Sequence, residues 1–187
     1  MAGFNPKETM IPGFGRRFFP LLLLCLFSCA GPPGKLPEEA ALLIPGVPFH
    51  PQEEYQCGPA SLAGVMNYYG LKIAPAEIAA EVFSPRARGT LDMDLVFYAQ
   101  RKGLKAEQYR GSWEDLRRNV DSRTPLIVLV DLGFWVYQKS HFMVVVGYAG
   151  PGVLVNSGKE EHKILPRDSF LRTWARTKFW TLKVTPP

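Results

Sequence analysis

Two side chains in this sequence have the types and settings for nucleophilic chemistry, a thiol at Cys57 and an imidazole at His141. Cys57 lies in Gln52-Glu53-Glu54-Tyr55-Gln56-Cys57-Gly58-Pro59-Ala60-Ser61-Leu62, at the expected first turn of a helix. The partial positive charge of a helix N-terminus favours thiolate over thiol, and its free N–H groups can donate to a developing oxyanion. Pro59 suits this position, because an early helical residue needs no amide donor. The chain has three cysteines, Cys25, Cys29 and Cys57. The first two fall in or at the end of an N-terminal leader, which leaves Cys57 without an intramolecular partner. Counting alone leaves an inert buried cysteine as the alternative.

A thiol nucleophile needs a base, and the chain offers His50, His141 and His162. His141 opens the apolar run His141-Phe142-Met143-Val144-Val145-Val146-Gly147-Tyr148. A strand end carries its ring to the rim of a sheet, where the start of a helix can meet it. His50, seven residues before Cys57, is the rival base; His162 lies in the polar stretch Lys159-Glu160-Glu161-His162-Lys163 and is expected to be solvated. The imidazole in turn needs an acceptor to orient it. Asn156 ends the run Val153-Leu154-Val155 just beyond a hairpin, on the strand expected beside that of His141. A turn-forming role is the alternative for Asn156, and Ser157 is the second candidate for the acceptor.

The elements that must position these groups follow from periodicity. Leu62, Val65, Met66 and Tyr69 recur at helical spacing from Cys57 to Tyr69, and Gly70 ends the helix. Further helices are expected at Pro75–Val82, Asp92–Lys102, Trp113–Val120 and Ser169–Thr173. Strands are expected at Pro125–Val130, Phe142–Tyr148, Val153–Val155 and Phe179–Val184, the second and third joined through Ala149-Gly150-Pro151-Gly152. Helices grouped before an antiparallel sheet give an α+β architecture. Phe170, Trp174 and Trp180 are assigned to the core, and Phe134, Trp135 and Tyr137 to either core packing or a substrate groove.

The N-terminus reads as a targeting segment. Arg16 and Arg17 precede the ten-residue apolar run Phe18–Phe27, interrupted only by Pro20. A transmembrane helix needs about 20 apolar residues, so a secretory signal is expected over residues 1–28. Leu26-Phe27-Ser28-Cys29 resembles a bacterial lipobox, with Cys29 the lipidated residue; plain cleavage after Ala30 is the alternative. Gly31, Pro32, Pro33, Gly34 and Pro37 then make residues 29–44 an expected tether, with one domain over 45–187. The expected location is the cell envelope, lipid-anchored at the periplasmic face of the outer membrane, or else soluble in the periplasm or secreted. The net charge is +5, and residues 29–187 keep 19 basic and 16 acidic side chains with no basic run. Nucleic-acid binding is therefore not expected. No HExxH, CxxC, GxSxG or P-loop spacing is present, and no metal or cofactor is expected.

Val47-Pro48-Phe49, Gln52, Cys57-Gly58-Pro59-Ala60-Ser61-Leu62-Ala63, Tyr68-Tyr69-Gly70, His141-Phe142, Val146-Gly147-Tyr148 and Val153-Leu154-Val155-Asn156 together resemble the bacteriocin-processing, double-glycine leader peptidase family of the papain-like clan. The resemblance covers nearly the whole domain and is closest to single-domain envelope lipoproteins. It implies that Cys57 attacks a peptide carbonyl, that His141 carries the proton, and that Gln52 is an oxyanion donor, with Gln56 as the fallback. It places Asn156 where the family commonly has aspartate, and Gln52 one residue nearer the cysteine than in transporter-linked relatives. It further implies a peptide or protein substrate, cleaved after small residues such as Gly-Gly; separately, a monomer is expected. A papain-like acyltransferase or amidase, or a non-catalytic peptide-binding domain, are the alternatives on the same frame.

Overall fold

The computed structural model describes residues 41–52, 55–150 and 152–187. The expected signal segment, the expected lipobox and most of the expected tether lie outside them. Helix α1 (Cys57–Tyr68) is the central element, with every residue from Gly58 to Met66 buried. A helix enclosed on all sides needs small residues where neighbours come close. A side chain at Gly64 would meet the Pro48 carbonyl oxygen at 2.7 Å, and one at Gly58 would meet Thr90 at 3.0 Å. Helices α2 (Pro75–Val82) and α3 (Asp92–Arg101) pack beside α1. Between them the short strands β2 (Phe83–Ser84) and β3 (Gly89–Thr90) form a separate ribbon.

The main sheet is antiparallel and is built from β4 (Lys105–Arg110), β5 (Leu126–Asp131), β6 (Ser140–Ala149), β7 (Gly152–Ser157), β8 (Glu160–Pro166) and β9 (Trp180–Thr185), in the order β4-β9-β5-β6-β7-β8. Strand β1 (Leu42–Leu43) pairs with Gly147 and Tyr148 of β6. It occupies the β6 edge beyond Val145, where the β5 pairing stops. Helix α4 (Trp113–Asp121) precedes β5, and α5 (Arg167–Ala175) joins β8 to β9. Ser112 caps α4 by accepting the Asp115 N–H, as expected for a serine N-cap. Leu126, Ile127, Val128, Val145, Val153, Val155 and Leu182 form the core of the sheet, with Leu62, Val65 and Met66 of α1 in the same cluster.

The α+β reading holds, and each long apolar strand and each helix sits within two residues of its expected limits at either end. Three features differ. The folded unit begins before residue 45, because Leu42–Leu43 complete the β6 edge and Ile44 is buried with its N–H on the Val146 carbonyl at 2.8 Å. The polar strands β4 and β8 were not expected; they lie at the two ends of the sheet order, where solvent takes most of their side chains and no hydrophobic alternation is required. His162 thus belongs to a strand rather than a polar turn. Phe170 and Trp174 are buried and Trp180 is half-buried, whereas Phe134, Trp135 and Tyr137 stand in solvent and belong to no core. Among the described residues no helix is long and apolar enough to cross a membrane.

Candidate active site

Cys57 is the first residue of α1, as its sequence setting requires. The preceding Tyr55 holds a left-handed φ of 64°, a conformation few non-glycine residues adopt, which turns the chain into the helix. The Cys57 thiol lies against the start of β6, where its sulfur takes the Phe142 backbone N–H; the N–H groups of Gly58 and Cys57 itself also face it. His141 immediately precedes Phe142 on that strand. The expected meeting of helix start and strand end is therefore what the fold makes.

The ionisation states differ from a preformed thiolate. Burial pushes the Cys57 thiol above its ordinary value, and the three backbone N–H groups offset this only in part. The His141 imidazole is pushed down to about 4, first by burial and then by the charges of Lys139 and Lys163. Near neutral pH both groups are uncharged. An uncharged thiol and an uncharged imidazole can react by general-base catalysis, the thiol proton moving to the imidazole as the sulfur attacks. A helix N-terminus can stabilise negative charge on sulfur as it develops in such a reaction.

The side chain that meets the His141 ring is Ser157. The His141 Nε2 lies 2.9 Å from Ser157 Oγ. With the proton on Nε2 donated to that oxygen, the Nδ1 lone pair is free to act as base. Asn156 does not meet the ring. Its Oδ1 accepts the His162 N–H at 3.0 Å, and its buried Nδ2 has no partner among the described residues. The register explains the correction. Past the hairpin, Ala149 pairs with Gly152, Tyr148 with Val153 and Gly147 with Leu154; a bulge then absorbs one β6 residue, so Val145 pairs with Val155 and Val144 with Asn156. Paired residues share a sheet face and successive residues alternate. Without the bulge Asn156 would pair with Val145 and share the face of His141; with it that face is given to Ser157.

Gln52 is buried and joined twice to the turn after β7. Its backbone N–H donates to the Gly158 carbonyl at 2.8 Å, and its Oε1 accepts the Gly158 N–H at 3.0 Å. This fixes the amide with its oxygen on Gly158, so that its NH2 remains the donor end. The oxyanion candidate and the His141 ring are consequently both held by the Ser157-Gly158 turn. Gln56 precedes α1 and makes no side-chain cap to it. His50 accepts from Asn67 Nδ2 at 3.2 Å, at the far end of α1, which removes it as a base for Cys57. His162 is exposed, its ring 3.8 Å from Glu161. Among the described residues no three His, Cys, Asp or Glu side chains group as metal ligands.

Two functional-site features escaped sequence reasoning. One is the choice of Ser157 over its neighbour. The other is Asp131, a buried carboxylate that accepts the Gly133 and Lys139 N–H groups at 2.8 Å each and pairs with Arg176 at 3.0 Å. Burial alone would raise its pKa, but those two N–H groups and Arg176 hold it below the ordinary value. It anchors the β5–β6 loop just before His141.

The family model described as "Peptidase C39 family" matches residues 48–183, which is most of the chain. The chain belongs to the Peptidase C39 family. The C39 fold is also found among solved structures. A putative C39-like peptidase from Bacillus anthracis superposes with a TM-score of 0.66 at 17% identity, covering 80% of this chain and 99% of that one. The peptidase domain of Streptococcus ComA, a bifunctional ABC transporter involved in quorum sensing, gives 0.63 at 21% identity over 76% and 100% of the two chains. A double glycine motif protease from an AMS/PCAT transporter, in complex with the leader peptide, gives 0.61 at 24% identity over 80% and 100%. Among curated proteins, an uncharacterized protein of Methanothermobacter marburgensis is 40% identical over 65 residues, 35% of this chain; the match spans 45% of that protein's length.

Proposed function

We propose that the protein is a thiol endopeptidase in which Cys57 is the nucleophile, His141 the base and then the acid, Ser157 the positioning residue and Gln52 an oxyanion donor. The carrying observation is the convergence of a helix-start thiol, a strand-end imidazole and a buried glutamine on one sheet rim. The Cys57 sulfur attacks the substrate carbonyl while its proton passes to His141 Nδ1. The carbonyl oxygen takes the negative charge and is met by the helix-start N–H groups and the Gln52 amide. The imidazolium returns the proton to the departing amine, leaving a thioester on Cys57. Water, deprotonated by His141, then hydrolyses it. A serine hydroxyl stabilises imidazolium less than a carboxylate does, in keeping with the low His141 pKa.

The substrate we assign is a peptide or small protein cleaved after small residues such as Gly-Gly, by analogy with the double glycine motif protease that this fold resembles. The site of action is the bacterial cell envelope, reached through the signal at residues 1–28 and a lipid on Cys29. The test is mass analysis of products from peptides spanning Gly-Gly, with and without an added primary amine. Hydrolysis after the second glycine supports the reading. Products bearing the amine assign the chain to acyl transfer instead. Intact peptides throughout, at neutral pH, overturn the peptidase assignment for this sequence class.

A further inference from the structure

The β5–β6 loop presents four consecutive large apolar side chains to solvent. Phe134, Trp135, Val136 and Tyr137 are 71–84% exposed. Single exposed apolar residues are ordinary, but a contiguous protruding set is not. The loop beneath them is firmly built. The Phe134 carbonyl accepts the Tyr137 N–H at 3.0 Å, and the Leu132 N–H donates to the Lys139 carbonyl at 2.9 Å. Asp131 takes the Gly133 and Lys139 N–H groups, while Arg176 donates to the Gly133 carbonyl at 2.6 Å and reaches the Trp135 carbonyl at 3.4 Å. Gly133 is required at the neck, because any Cβ there would lie 1.8 Å from the Tyr137 carbonyl oxygen.

We infer that this tip inserts into the interfacial region of a lipid bilayer. Three observations choose lipid over a protein groove as its occupant. The side chains are the interfacial set, Trp, Tyr and Phe with an aliphatic neighbour, whose rings settle at headgroup level. The tip is held from its base, with the Gly133 and Lys139 N–H groups on Asp131, the Gly133 carbonyl on Arg176 and the Tyr137 N–H on the Phe134 carbonyl, so that little loop order must be gained when its side chains enter the layer. Exposed cations, Lys139 at the neck and Lys178 beside Arg176, suit anionic headgroups.

The chain enters the sheet at Leu42, opposite Tyr148, at the far end of β6 from the loop. Ser140 to Tyr148 spans roughly 27 Å of strand. Insertion would set the His141 end of the sheet close to the membrane surface and favour substrates lying along it.

Trp135 is the probe. Trp113 and Trp174 are buried and Trp180 is half-buried, which leaves Trp135 as the one widely exposed tryptophan among the described residues. The full chain is mixed with phosphatidylethanolamine/phosphatidylglycerol vesicles whose acyl chains are brominated near the headgroup. The expected result is a blue shift and a loss of emission that Trp135→Phe abolishes. Emission from Trp135 that is equal in brominated and unbrominated vesicles overturns the inference. A blue shift without quenching also overturns it and assigns the tip to a protein surface. A Phe134→Ser/Tyr137→Ser variant, with Trp135 retained, should lose the quenching while keeping the thermal transition of the parent chain.

Discussion

Replacing Ser157 with aspartate tests the arrangement of the site at its least expected point. The His141 Nε2 lies 2.9 Å from the Ser157 hydroxyl. A carboxylate in that place would hold its charge roughly 4 Å from the imidazolium, worth about 4 kcal/mol at an effective dielectric constant near 20. Desolvation of the new carboxylate takes back part of this, which leaves the 1–3 units usual for an adjacent opposite charge. The His141 pKa, about 4 in the parent chain, should rise to about 5–7. The assay is kcat/KM against pH on a Gly-Gly peptide. Its acid limb reports protonation of the base in the free enzyme, and this limb should move up in Ser157→Asp. Ser157→Ala should leave the limb low and reduce kcat/KM by about tenfold, the loss of one hydrogen bond near the reacting atoms. Asn156→Ala should leave the limb where it is. An acid limb unmoved in Ser157→Asp, or moved by Asn156→Ala, refutes the assignment of the orienting residue.

Further expectations concern pH, the oxyanion donor and packing. His141 has a folded pKa of about 4 against an ordinary value of 6.5. The unfolded chain therefore binds more protons between these values, so its contribution to stability is complete above 6.5 and is lost as pH falls towards 4. Denaturant melts should lose about 3 kcal/mol over that window relative to His141→Gln. Gln52→Ala should lower kcat about 10²- to 10³-fold with a smaller change in KM, measured at saturating peptide; an effect confined to KM would give Gln52 a binding role. Gly64→Ala must displace α1 from the Pro48 carbonyl oxygen, 2.7 Å from the new methyl. It should cost about 1–3 kcal/mol in thermal or denaturant unfolding, and an unchanged transition would contradict the close packing of α1.

Much of this site was legible because its two reacting residues sit where element boundaries are sharpest. Cys57 opens a helix marked by Gly58-Pro59 and ended by Gly70, and His141 opens an unbroken apolar strand. The ring meets the second candidate, Ser157, rather than Asn156, because strand faces alternate with a period of two. Counting back from the hairpin puts Asn156 with His141; the bulge between Val145 and Gly147 puts Ser157 there instead. Val146 in the bulge has no compositional mark among its valine neighbours. The polar strands β4 and β8 were hidden for a different reason, since strands at the ends of a sheet can be solvated without hydrophobic alternation. Asp131 was hidden because a buried carboxylate depends on partners distant in sequence, here Arg176.

The most direct test of the central claim is to catch the thioester. The chain is mixed with a Gly-Gly peptide, quenched in acid during turnover, and examined by intact mass and peptide mapping. The account predicts an acyl adduct on the peptide containing Cys57, absent from Cys57→Ala and much reduced in His141→Gln, with cleavage lost in parallel. Cleavage that persists in Cys57→Ala, or that proceeds in the parent chain with an adduct on another residue, would contradict it.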